Sequence, residues 1–184
     1  MARVCIDVQH IGKPNKPRDR GAAWPADGSG LVEVHLTLGY AVAMERALHD
    51  LGHEVFLLVD GYYGDRHKRV NALAPDLYLA CHVNAGMGGK PYNRGEFYHW
   101  PQSSNGHAAA QAIAEAVAAV APWRCEVKPA DSSRTQATMD GVRAPTVLLE
   151  PGFLDGLDAS WLQQSHTLGG AMASGVDAYL RRVS

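Results

Sequence analysis

The sequence predicts an α/β fold, a single domain over residues 1–184 with a largely parallel central sheet and helices on both faces. Three observations predict it. Short apolar or β-branched runs alternate with longer helical stretches, in the order that parallel sheets require. Right-handed crossovers between such strands place helices on both faces. The length, 184 residues, suits one domain, and a domain of that size buries roughly 70% of its unfolded surface.

Residues 3–8 (RVCIDV) form a first strand. Residues 11–30 are rich in proline and glycine and show no periodicity, so they read as a long functional loop. Residues 31–51 carry apolar positions at helical spacing, with Gly52 as the residue that ends the helix. A buried strand follows at 54–60, a short helix at 64–74 stopped by Pro75, and a strand at 76–83. Residues 95–100 form another strand, 105–121 an alanine-rich helix closed by Pro122, and 123–128 an edge strand. PTVLLE at 145–150 is a buried strand, and residues 157–163 and 166–182 form two closing helices.

Hydrophobic content is 46%, charged content 20% and formal net charge −2, which exclude a dedicated nucleic-acid binder with a strongly basic face. No apolar stretch is long enough to cross a bilayer, and the N-terminus shows no signal-peptide core, so the expectation is folding in the cytoplasm or an export signal already removed. The cysteines, Cys5, Cys81 and Cys125, form no C-x-x-C pair, and Cys5 and Cys81 read as buried hydrophobes.

Chemistry-bearing residues cluster at predicted strand ends, where open α/β sheets gather ligands. The first strand runs into Asp7-Val-Gln-His10, the 76–83 strand into His82-Val-Asn84, and the 145–150 strand ends on Glu150. Glu33 lies near the start of the first helix. Two imidazoles and a carboxylate are suitable Zn²⁺ ligands, and a further carboxylate would serve as a base. Spacing alone leaves a hydrogen-bonded core histidine and a helix-dipole glutamate open, because no two of these residues form a local motif.

Four blocks, in order, carry a family resemblance. Ile6-Asp7-Val8-Gln9-His10 resembles I-D-P-G-H, and Glu33 with the helix to Leu51-Gly52 resembles an E-x-x-x-x-L segment. Arg66 to Asn71, then Asp76-Leu-Tyr-Leu-Ala-Cys-His82-Val-Asn84, resembles R-x-x-x-A-N followed by A-D-L-F-I-S-I-H-A-N. Pro145-Thr-Val-Leu-Leu-Glu150-Pro-Gly152-Phe153 resembles P-x-V-L-V-E-x-G-F. Gly95-Glu96-Phe97-Tyr98 is similar to the strand that follows the second histidine. Together they resemble the zinc-dependent N-acetylmuramoyl-L-alanine amidases of the Amidase_3 type. The sequence departs from the pattern at Val8-Gln9 (Pro-Gly in the family), Val59-Asp60 (often Thr-Arg) and Gly156 (usually Asn).

The resemblance implies that His10, Glu33 and His82 hold Zn²⁺ and that Glu150 is catalytic, taking a proton from the attacking water and returning it to the leaving amine. The bond cut joins N-acetylmuramic acid to L-alanine in peptidoglycan. Asn84 and Arg66 are candidate substrate-binding residues, with capping or salt-bridge roles as the alternative. Asp7 either orients His10 or is a solvated strand-end carboxylate. His35 reads as a packing or surface residue, with replacement of Glu33 as the alternative. Lys13, Lys16, Arg18 and Arg20 make the long loop basic, suited to attract stem-peptide carboxylates. Trp24 and Trp100 are candidates to stack on sugars, core packing being favoured for Trp100. The expected setting is a monomeric endolysin or autolysin that reaches the cell wall after release, or extracellularly. An inactive muropeptide- or partner-binding relative and a zinc carboxypeptidase are the alternatives; the second would need a cationic clamp from Arg66, Arg94 or Arg143.

Overall fold

A computed structural model describes residues 1–11, 18–60, 63–86 and 92–183. Lys13 and Lys16 of the expected basic loop lie outside the described residues. The element order is β1 (Arg3–Val8), β2 (Ala23–Trp24), β3 (Leu31–Val32), α1 (Glu33–Asp50), β4 (Glu54–Leu58), α2 (Tyr63–Leu73), β5 (Leu77–Cys81), β6 (Arg94–His99), α3 (Ser104–Ala118), β7 (Arg124–Pro129), α4 (Ser133–Ala137), β8 (Thr146–Glu150), a 3₁₀ turn (Ala159–Gln163) and α5 (Ser165–Val183). No helix among the described residues is long and apolar enough to cross a membrane.

The main sheet has six strands in the order β4-β1-β5-β8-β6-β7. β4, β1, β5 and β8 are parallel, β6 runs antiparallel to β8, and β7 is parallel to β6. The reversal follows from the connections. Among the described residues no helix lies between β5 and β6, and β6 starts at the edge where β5 ends. α3 then supplies the crossover that makes β7 parallel to β6.

Side chains alternate between the faces with a period of two. Val4, Ile6 and Val8 of β1 join the larger core with Leu77, Leu79, Val147 and Leu149, under α1, α3 and α5. Cys5, Tyr78, Ala80 and Leu148 point the other way, onto Val70 of α2, Met139 and the partly buried Trp100. Helices therefore cover both faces, unequally. Cys5 and Cys81 are buried, and burial pushes the Cys5 thiol up to about 12.

Three elements differ from the sequence reading. Residues 31–32 extend the chain instead of opening α1, because they pair antiparallel with Ala23–Trp24. α4 was hidden in a polar stretch; it is one short turn held by a capping box in which Ser132 Oγ accepts from Thr135 N. Residues 159–163 form a 3₁₀ turn, not a full helix.

Close approach of α5 to its neighbours depends on glycine. A Cβ on Gly169 would stand 2.6 Å from Tyr40 O and 2.7 Å from Met44 N of α1, and one on Gly175 would stand 2.6 Å from Ile113 Cα of α3. Gly170, one position on, meets nothing within 4 Å. Two substitutions in one helix should thus move stability in opposite directions. Gly170→Ala should stabilise by about 0.5–1 kcal/mol through helix propensity. Gly169→Ala should destabilise by about 1–3 kcal/mol through overpacking against backbone. Urea unfolding of both variants tests the pair.

Candidate active site

Three adjacent parallel strands, β1, β5 and β8, deliver His10, His82 and Glu150 to the same sheet edge. α1 begins beside them with Glu33. No side chain caps this helix; instead Glu33 N donates to Ala22 O at 2.9 Å and Val34 N to Arg20 O at 3.1 Å. The segment before β2 thus satisfies two of the orphan amides of the first turn. It also seats the Glu33 side chain, because Ala22 N donates to Glu33 Oε2 at 2.8 Å. Gly21 has φ +69°, and a Cβ there would collide with the Glu33 carboxylate. Only glycine suits both the left-handed backbone and the close approach.

Glu33 Oε1 faces the strand ends. It lies 2.9 Å from His82 Nδ1 and 3.4 Å from His10 Nε2, and accepts from Val83 N at 3.2 Å. The His10 and His82 rings meet edge to face at 5.0 Å between centroids. One ligand atom from each of His10, Glu33 and His82 lies within 4.8 Å of the others. Burial alone would raise the Glu33 carboxyl, but hydrogen bonds from His10 and His82 outweigh it and hold Glu33 well below the usual carboxylate range. Burial lowers the His82 imidazole, favouring the neutral form that a metal needs. His82 Nε2 is buried and has no hydrogen-bond partner among the described residues. A buried polar nitrogen left over beside a second imidazole and an ionised carboxylate fits a divalent cation of the zinc type.

Each group is held from behind. Asp19 Oδ1 lies 3.1 Å from His10 Nδ1 and accepts from Gly21 N at 2.9 Å. Tyr40, on the same helix as Glu33, donates to His82 O at 2.9 Å. Neither Asp19 nor Tyr40 stood out in the sequence: Asp19 lies in an aperiodic loop, and Tyr40 is one apolar position among many on α1.

Glu150 ends β8 and is buried, with Oε2 unpartnered among the described residues. Burial pushes its carboxyl well above the ordinary range, and the negative charge of Glu33 adds to the shift. Glu96 is its cross-strand neighbour on β6. Glu96 gathers Arg94, Lys128, Tyr98 and Asn84; the Asn84 Nδ2 donates to Glu96 Oε2 at 2.9 Å. Asn84 also pairs through its backbone with the strand leaving Glu150, since Asn84 N donates to Gly152 O and Leu154 N to Asn84 O.

Arg66 takes the salt-bridge role that the sequence left open beside substrate binding, while Asp7 takes neither of its two expected roles. Arg66 is buried; its Nε pairs with Asp7 Oδ2, and its Nη1 donates to Gln9 Oε1 at 2.6 Å. Asp7 neither orients His10 nor faces solvent. It is fully buried and accepts from Tyr78 OH at 2.6 Å and Gln9 Nε2 at 2.9 Å. Burial pushes its carboxyl up to about 6, against the pull of Arg66 and Tyr78.

The other candidates fall away from the cluster. His35 is exposed, while Glu33 occupies the position between the imidazoles. Arg94 is committed to Glu96, and Arg143 precedes β8 at the end of the sheet remote from Glu150. The unusual Gly156 is required, since a Cβ there would stand 2.6 Å from Tyr92 O. Asp60, in the Val59-Asp60 departure, pairs with Arg69.

The sequence matches the Amidase_3 family, N-acetylmuramoyl-L-alanine amidase, over residues 4–178. The chain belongs to that family. Its fold resembles the amidase AmiC2 of Nostoc punctiforme (TM-score 0.81, 20% identity, 98% of both chains covered). It also resembles the catalytic domain of the amidase CwlV from Bacillus (Paenibacillus) polymyxa (TM-score 0.81, 21% identity, 98% of this chain and 99% of that one). Cwp6 from Clostridium difficile aligns with TM-score 0.83 and 22% identity over 97% of this chain and 29% of its own. None of the curated proteins matches the sequence significantly. As a member of this family the chain is an enzyme, an amidase whose substrate is peptidoglycan.

The ion pair beneath this amidase site carries a stability prediction. Arg66→Met would leave the Asp7 carboxylate buried without its countercharge, so it should cost about 3–5 kcal/mol in urea unfolding.

Proposed function

We propose that this amidase hydrolyses the bond between N-acetylmuramic acid and L-alanine with Zn²⁺ held by His10, Glu33 and His82 and with Glu150 as the proton carrier. The convergence of two imidazoles and one carboxylate within 4.8 Å carries the reading. A bound zinc ion supplies Lewis acidity for attack of water on an amide carbonyl.

The chain's own residues account for the remainder. Asp19, beside His10 Nδ1, orients that imidazole, and Tyr40, bonded to the His82 carbonyl, fixes the backbone that carries the other. Val83 N and Ala22 N hold both oxygens of Glu33, so its carboxylate is in place before any ligand arrives. Glu150 has an unpartnered Oε2 and a proton affinity raised by burial. These properties suit it to accept a proton from water and release it to the leaving amine. Asn84, tied through its side chain to Glu96 and through its backbone to the chain after Glu150, is the proposed substrate contact.

Two variants separate the roles. Glu150→Gln should keep the metal and lose about 10²–10⁴-fold in kcat, while His82→Ala should lose both metal and activity. Metal content measured on the purified proteins, with mass analysis of products from purified peptidoglycan, tests this. Free stem peptides and intact glycan are the expected products. A wild type that releases them after complete metal removal would refute the metal role.

A chelator should also lower thermal stability, because a ligand bound only to the folded state stabilises by about 2.7 kcal/mol when present at about 100 times its Kd. Melting curves with zinc and with chelator check this without any substrate.

A further inference from the structure

The turn into His10 has a feature that the family pattern does not supply. Gln9 stands where the resembled sequences have glycine, and its side chain is fully buried. Its amide is used at both ends. Oε1 accepts from Arg66 Nη1 at 2.6 Å, while Nε2 donates to Asp7 Oδ2 at 2.9 Å and lies 3.4 Å from Tyr78 OH. Rotating the amide by half a turn would set N–H against guanidinium and oxygen against carboxylate, so its orientation is unique. The next residue, His10, has φ +64°, a left-handed conformation uncommon for a side-chain-bearing residue. A backbone in that region persists where its surroundings over-determine it. Gln9 supplies this constraint through three elements at once: β1 by Asp7, β5 by Tyr78 and α2 by Arg66.

We infer that Gln9 is the positioning residue for His10, its buried amide locking the left-handed turn that aims the imidazole at Glu33 and His82. The inference rests on the zinc site proposed above. The left-handed residue is His10 itself, and the side chain anchored to the buried ion pair just before it holds the turn. Gln9 touches no reacting atom; it acts through His10.

The test is zinc affinity of the folded protein, read by competition with a chromophoric chelator. Gln9→Met keeps the buried volume and removes both polar ends. It should fold, as shown by circular dichroism, and bind zinc about 10–100-fold more weakly. With zinc saturating, KM for peptidoglycan fragments should stay at the wild-type value while kcat falls. Gln9→Asn retains the amide but is too short to reach Arg66 and Asp7 together. It should show the same loss, and serves if the methionine variant does not fold. Gln111→Met, on the exposed face of α3, is the control and should bind zinc as the wild type does. A folded Gln9 variant with wild-type zinc affinity would overturn the inference and leave the zinc site standing. A wild type that binds no zinc would overturn both.

Discussion

One buried carboxylate ties the site together. Glu33 Oε2 is held by the loop amide of Ala22, and Oε1 by the amide of Val83 and by His82. A carboxylate with so little solvent around it is unfavourable unless its oxygens are satisfied. The partners that satisfy it come from an irregular loop, a strand end and an imidazole far apart in sequence. The first turn of α1, the Gly21 turn and the end of β5 must therefore all be in place together. The same contacts that remove the cost of burial set the positions of the chemistry.

Below that layer, a second set of polar groups supports the floor. Asp7, Gln9, Arg66 and Tyr78 form a closed group on the smaller face of the sheet, where α2 packs. It gives the strand end a fixed reference, so the left-handed His10 is no loose turn. The polar floor and the glycine-dependent seam of α5 lie on opposite faces. Packing quality along that seam and precision at the site are therefore set by different residues.

Much of this was legible in the sequence. Strands with apolar runs, such as RVCIDV and TVLLE, declared themselves because burial on both faces leaves few alternatives for composition. His10, His82 and Glu150 drew attention as polar residues at or just past the ends of such runs, and the ordered family blocks then separated them from hydrogen-bonded core residues. Glu33 was visible only through the ordered family blocks, since an acidic residue in a first helical turn has an ordinary explanation. Contacts created by the fold alone were not legible. Asp19 meets His10 because the loop doubles back, and Arg66 meets Asp7 because α2 crosses under β1; neither pair has a periodicity to betray it. The two-residue strands β2 and β3 escaped for the same reason, their pairing being the only thing that defines them.

The reversal of β6 reaches beyond catalysis. It carries β7 to the outside of the sheet, where a strand could template pairing with another molecule. That strand presents Arg124, Glu126 and Lys128 on one face and closes with Pro129, which has no amide hydrogen to donate. This rim, the β7 side of the sheet, is thereby guarded against edge-to-edge self-association. The β7 edge is therefore a poor seed for aggregation, and any edge pairing by this sheet falls to β4 at its opposite rim.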